Sequence, residues 1–232
     1  MKTRITSAVV VALMISSVSL AAPTSYGPSA YVQASDSPFA GVVGLDYFHL
    51  EDFEDFALNT PGVSVNAGYS TKPTWAASVT DSVDGDDGAI DGFGTRGNSW
   101  FSSSGSQGLT FTFDAGVLGS LPTHAGIVWT DGLDGVTFEA FDVLGNSLGT
   151  IGPVNIADGV YTGTTGEDRF FGMSDPDGIW KITIRSGNAG IEVDHLQYGG
   201  VRSVPTVPAP AAVLLLGLGT GVVGWLRRRR AF

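Results

Sequence analysis

Between residues 41 and 202 the apolar positions come in short runs, and each run stops at a turn residue. Thr110-Phe111-Thr112-Phe113 and Lys181-Ile182-Thr183-Ile184 alternate with a period of two. That is the pattern of a strand with one face buried, because successive side chains of a strand point to opposite faces. The runs predict strands over Trp75–Thr80, Leu109–Phe113, Gly126–Thr130, Val136–Phe141, Arg169–Met173, Trp180–Arg185 and Ile191–Leu196. Asp131-Gly132, Gly145-Asn146 and Pro176-Asp177-Gly178 supply turn chemistry between them. No segment of this region carries an apolar stripe of helical period. The expected fold is all-β, one antiparallel β-sandwich of jelly-roll type over residues 41–202, preceded by a polar lead-in at 23–40. Composition agrees: 33 glycines and only 15% charged residues favour strands and turns, while 43% hydrophobic residues suffice for a core. The absence of cysteine excludes disulfides, thiolate metal sites and cysteine nucleophiles.

The two ends follow other patterns. Lys2 and Arg4 precede a mostly apolar run from Ala8 to Val18, and Ser19-Leu20-Ala21 then offers small residues, so residues 1–22 read as a secretory signal peptide. At the other end, residues 203–210 form a Pro-rich extended linker, and 211–226 contain only apolar residues, Gly and Thr. A helix there, at about 1.5 Å per residue, reaches roughly 24 Å against a hydrocarbon core of roughly 30 Å. Trp225 at the interface and snorkelling Arg227, Arg228, Arg229 and Arg230 extend it, so 211–230 is expected to be one transmembrane helix with its arginine cluster. The arginines place the tail inside and the domain outside. Gly219-x-Gly221-x-x-Gly224 matches a dinucleotide fingerprint, but no strand precedes it and no acid follows, so it carries no nucleotide site.

The motif Val207-Pro208-Ala209-Pro210, the apolar helix and the arginine cluster together resemble the PEP-CTERM sorting signal of exported bacterial proteins. The resemblance covers about the last 26 residues and implies processing by an exosortase-type membrane protease in a host that makes exopolysaccharide or a biofilm matrix. Ala209 departs from the glutamate usual between the two prolines, which bears on processing rather than on membrane targeting.

Charge narrows the partners. All 23 acidic residues lie between the two basic ends, so the central segment, with six of the 12 Lys and Arg, carries a net charge of −17. Such a surface repels phosphate backbones and excludes nucleic acid as an expected partner. It suits cations. Phe48-His49-Leu50-Glu51-Asp52-Phe53-Glu54-Asp55-Phe56 opens the domain and Gly190-Ile191-Glu192-Val193-Asp194-His195-Leu196-Gln197-Tyr198-Gly199 closes it. This pair of segments resembles galactose-binding-like, MAM-like and carbohydrate-binding jelly rolls. The resemblance implies that the opening and closing strands are neighbours and that carboxylates among Glu51, Asp52, Glu54 and Asp194 hold a structural Ca2+. A second candidate Ca2+ site is the loop bearing Asp81, Asp84, Asp86, Asp87 and Asp91, although it lacks the EF-hand order and the glutamate at its twelfth position. Solvated acids are the other reading of both sets.

Catalytic signals are sparse. His49, His124 and His195 have no zinc-binding spacing, and no G-x-S-x-G elbow occurs. Trp100, in Gly97-Asn98-Ser99-Trp100-Phe101-Ser102, is the loop-borne aromatic best suited to stack on a sugar, with core packing as its other reading. The sequence therefore points to a non-enzymatic, exported cell-surface or extracellular-matrix protein, carbohydrate-binding-like or structural. The alternative is a surface glycoside hydrolase or lyase on a similar sandwich.

Overall fold

A computed structural model of the chain describes residues 22–71, 81–83, 97–159, 166–201 and 227–228. Residues 1–201 and 202–232 form two separate units. Among its described residues the first contains twelve strands: β1 Thr24–Ala30, β2 Tyr47–Glu51, β3 Val63–Val65, β4 Tyr69–Ser70, β5 Trp100–Ser102, β6 Leu109–Phe113, β7 His124–Gly132, β8 Val136–Phe141, β9 Ser147–Val154, β10 Arg169–Ser174, β11 Lys181–Arg185 and β12 Ile191–Gly200. One four-residue helix, α1 (Ala115–Leu118), connects β6 to β7. Every pairing among these strands is antiparallel.

The strands form two sheets. A seven-stranded sheet runs β1-β10-β7-β12-β5-β4, with β2 also on β12, and a five-stranded sheet runs β3-β6-β11-β8-β9. The fold is thus all-β and built from two antiparallel sheets, as the sequence predicts. Strand β12 is the centre of the larger sheet. One side pairs with β7; the other pairs with β5 through Ile191–Val193 and with β2 through Leu196–Gly200. The opening segment β2 and the closing strand are therefore neighbours, with Leu196 opposite Glu51.

The five-stranded sheet keeps one wet face. In β6 and β8 buried and half-buried residues alternate strictly, and Thr110 and Thr183 share a hydroxyl contact of 3.0 Å across the partly exposed side. The inner face carries Phe111, Phe138, Ile182 and Ile184 into one core with Ile127, Trp129, Phe171, Val193, Leu196 and Tyr198 of the larger sheet. Each such side chain contributes roughly 1.5–3 kcal/mol by leaving water.

The larger sheet is covered on both faces. Its outer side packs Val128 and Phe170 against Tyr31, Phe39 and Val83 in a second cluster. Consequently Gly126–Thr130 and Phe170–Met173 read as continuous apolar runs rather than as alternating ones, since both faces of each strand are dry. The polar stretch 23–40 belongs to the domain rather than preceding it: β1 pairs with β10, and Tyr31 and Phe39 are buried. Its short polar side chains hid this, because β1 is an edge strand that is mostly exposed.

The strand expected at 75–80, the signal peptide before residue 22 and the span 211–226 lie outside the described residues, as does the linker motif Val207–Pro210. Arg227 and Arg228 are helical and exposed. Among the described residues no helix is long and apolar enough to cross a membrane.

Gly172 and Gly126 face each other across β10 and β7. A Cβ on Gly126 would lie 2.3 Å from the Phe170 ring and 2.7 Å from the Phe171 carbonyl oxygen, so the ring lies directly on a glycine floor. Gly126→Ala is expected to cost about 1–3 kcal/mol by overpacking. Leu144→Ala, in an exposed turn, should change stability by no more than about 0.5 kcal/mol. Urea denaturation of both variants checks the pair.

Candidate functional site

Along β12 the core residues fall at Ile191, Val193, Leu196 and Tyr198. The extra residue between Val193 and Leu196 is a bulge: the register against β7 slips between Asp194 and Gln197, and His195 adopts φ 42°. All ten residues of β12 are buried, including Glu192, Asp194, His195 and Gln197. Their polar atoms must find partners inside the protein, because an unmade hydrogen bond there costs about 1–3 kcal/mol.

Most of them do. Residues 31–39 cover the lower half, where the Tyr31 hydroxyl lies 2.9 Å from His195 Nδ1, Gln197 Nε2 donates to the Tyr31 hydroxyl at 2.9 Å, and the Ser37 hydroxyl donates to Gln197 Oε1. Residues 81–83 cover the upper half. Asp81 N donates to Glu192 Oε2 at 2.7 Å, while Ser82 Oγ and Val83 N both donate to Asp194 Oδ2 at 2.9 Å. His195 N donates to Asp194 Oδ1 at 2.7 Å.

The carboxylates of Asp81 and Asp168 do not. All four of their oxygens are buried without a hydrogen-bond partner, and the residues are 2% and 0% exposed. Burial pushes the Asp81 carboxyl up to about 10, and Asp168, Glu192, Asp131 and Glu167 add like-charge repulsion. Burial likewise pushes Glu192 up to about 8, with Asp131 adding to it, and Glu167 up to about 7, with Asp158 and Asp131 adding to it. Asp168 is raised well above the ordinary range by burial and by Asp194 and Glu167. Among the described residues no salt bridge reaches them, and the attraction of Arg169 offsets only part of the upward push on Glu167 and Asp168. Among the described residues the only salt bridge joins Arg185 and Glu139, at 4.0 Å on the other sheet. Arg169 stands beside Asp168, yet its guanidinium donates to the carbonyls of Asp168 and Gly166 at 2.8 and 3.3 Å.

The expected Ca2+ ligands are therefore redistributed. Glu51 accepts the backbone N–H groups of Phe53, Asn59 and Thr60, and so caps the loop after β2. Asp52 caps Glu54 N, and Glu54 accepts from Asn98 N and Nδ2. Asp194 leaves that group and stands beside Asp168, and the segment that bonds it carries Asp81 from the other candidate set. Asp84, Asp86, Asp87 and Asp91 lie outside the described residues. Asp131, expected in a turn with Gly132, is instead the penultimate residue of β7, paired with Glu192, and Glu167, Asp168 and Glu192 carried no expectation as site residues. One signal for Glu192 was present: Glu192-x-Asp194 alternates with Ile191-x-Val193, which puts both acids on the face away from the core.

The expected sugar platform is differently placed. Trp100 is half-buried, its ring packs 5.4 Å from Phe53, and its indole N–H is donated to the Ala67 carbonyl at 2.9 Å. An open groove of about 390 Å³ instead lies at α1, lined by Trp180, Phe113, Leu121, Val143, Thr112 and Asp114 among others. Lys181 Nζ sits 4.8 Å above the Trp180 ring. Asp114 is the one ionisable side chain among the described residues of its lining, and it caps α1 by accepting Gly116 N at 2.7 Å.

Fold and site define a two-sheet all-β protein with buried, mutually repelling acids on one covered sheet face. No family model, curated protein or solved structure matches the chain.

The raised values fix the direction of a pH dependence. A carboxyl bound more tightly to its proton in the folded state stabilises the fold below its unfolded value, 3.8 for Asp and 4.5 for Glu. That contribution disappears as pH climbs through the folded values of about 7 for Glu167, about 8 for Glu192 and about 10 for Asp81. In EDTA, the melting temperature should fall steadily between about pH 5 and about pH 9, and Asp168→Asn should flatten the fall. Scanning calorimetry across that range reads both slopes.

Proposed function

We propose that this chain is a non-enzymatic, exported module of the cell surface or extracellular matrix, a jelly-roll-type sandwich that recognises extended polysaccharide through the groove beside Trp180. A PEP-CTERM-like tail, with Ala209 in its Pro-x-Pro motif, delivers it to the membrane for exosortase-type processing. The observation that carries the binding reading is the lining of the groove: an indole, apolar walls and a single carboxylate already committed as a helix cap. Aromatic faces stack on the apolar faces of sugar rings. Hydrolysis of a glycoside needs two carboxyl groups about 5–9.5 Å apart on either side of the scissile bond. The acids with the most displaced protonation, Asp168, Asp81, Glu192 and Glu167, are sealed at 0–4% exposure, out of reach of a polymer. Their burial favours a part in holding the sheet.

The test is retention on immobilised acidic and neutral exopolysaccharides, followed by assay of the eluate for new reducing ends. Retention without release is expected, and Trp180→Ala should weaken it about tenfold, the loss of roughly 1.4 kcal/mol. Release of reducing ends that persists in purified protein would instead establish the surface enzyme. Absence of retention on every polymer would leave a purely structural matrix protein and remove the groove from consideration.

A further inference from the structure

The Asp81 and Asp168 carboxylates lack what the neighbouring buried acids of this protein have. Glu51 has backbone N–H donors, and Asp194 has the Ser82 hydroxyl and two backbone N–H groups. Among the described residues Asp81 and Asp168 have neither hydrogen-bond donors nor a salt bridge. Asp168, Glu192, Asp131 and Glu167 are near enough to repel Asp81, and Asp194 and Glu167 to repel Asp168, which Arg169 offsets only in part. An uncompensated buried carboxylate costs far more than any packing interaction returns. Thr130 Oγ1, adjacent in sequence to Asp131, is also buried without a partner.

We propose that the covered face of the seven-stranded sheet binds one Ca2+ between the carboxylates of Asp81 and Asp168, with Glu192, Asp131 and Glu167 supplying the surrounding negative charge. The site lies where residues 81–83 cross β12 and β10 begins, away from the terminal-strand acids: Glu51 is saturated by three backbone N–H groups. The donor set selects the ion. It contains oxygens only, with neither imidazole nor thiolate, which disfavours zinc and the later transition metals. Calcium accepts six to eight oxygens in irregular geometry, including hydroxyl and backbone carbonyl oxygens, whereas magnesium demands a regular octahedron and keeps its waters. Among the described residues no three acidic or imidazole groups meet at a common ligand point as they stand. Binding therefore draws side chains inward by rotation, and the Asp81 and Asp168 carboxylates, held by no hydrogen bond, are the ones to turn. The ion would fasten residues 81–83 to β12 and β10. The proposal is independent of polysaccharide binding.

The experiment is a melting scan of the full chain in mild detergent at near-neutral pH, in EDTA, in CaCl2 and in MgCl2, with calorimetric titration of CaCl2. Calcium at about 5 mM should raise the melting temperature by about 5 °C or more over EDTA, and the titration should saturate near one ion per chain with Kd of about 0.1 mM or tighter. Asp168→Asn, which relieves repulsion and so should fold in EDTA, is expected to lose the calcium shift, and Asp81→Asn likewise. Asp177→Asn, an exposed acid, should keep it. A melting temperature indifferent to calcium would overturn the site, and so would an equal shift in MgCl2, which marks charge screening alone. A full calcium shift in both Asp168→Asn and Asp81→Asn would overturn it as well.

Discussion

Strand β12 is buried along its entire length while its outward side chains, Glu192, Asp194 and Gln197, are polar or charged. A buried strand of that kind needs a second layer that brings donors to its polar face. Two segments from distant parts of the chain do so: residues 31–39 with Tyr31 and Ser37, and residues 81–83 with two backbone N–H groups and a hydroxyl. The arrangement ties the position of β12 at the centre of the sheet to the paths of both covers. It also explains the bulge at His195, which turns the imidazole toward Tyr31 while returning Leu196 and Tyr198 to the core.

The two sheets consequently work differently. The five-stranded sheet has one dry face and one partly exposed face, where Thr110 meets Thr183, Glu139 meets Arg185 and Lys181 lies over Phe141. The seven-stranded sheet has no wet face at its centre, so its charges have no solvent to screen them. Concentrating Asp81, Glu167, Asp168, Glu192 and Asp194 there makes the stability of the cover depend on the protonation of its acids. Recognition, in the reading proposed, belongs to the opposite kind of surface: an open groove beside α1 whose wall is supplied by the better-satisfied sheet. Separating the two lets a ligand bind without exposing the buried acids.

The apolar periodicity determined a good deal. Leu109–Phe113 and Val136–Phe141 coincide with β6 and β8, because those strands have one wet face and so display a period of two. Strands β1, β4 and β5 carried no such signal: they are short or edge elements whose Gly, Ser and Tyr residues obey neighbours rather than their own pattern. The acids divide in the same way. Glu51, Asp52 and Glu54 were conspicuous as a run of charge, yet Glu51 and Asp52 cap backbone and Glu54 bonds Asn98, and of the acids in the 81–91 loop only Asp81 lies among the described residues. The cluster in space is assembled instead from separate places in the chain: Asp81, Asp131, the Glu167-Asp168 pair, and Glu192 and Asp194 of β12.

The sequence by itself determined the all-β class, several of the main strands and the acidity of the domain, since each follows from local period or composition. Which carboxylates meet, which of them are left without donors, and whether a tryptophan faces solvent were decided only by the tertiary structure. Those properties depend on the pairing of β12 with β7 and β5 and on covers laid down from over a hundred residues away in the chain. No pattern within a strand records which segment will be laid across it.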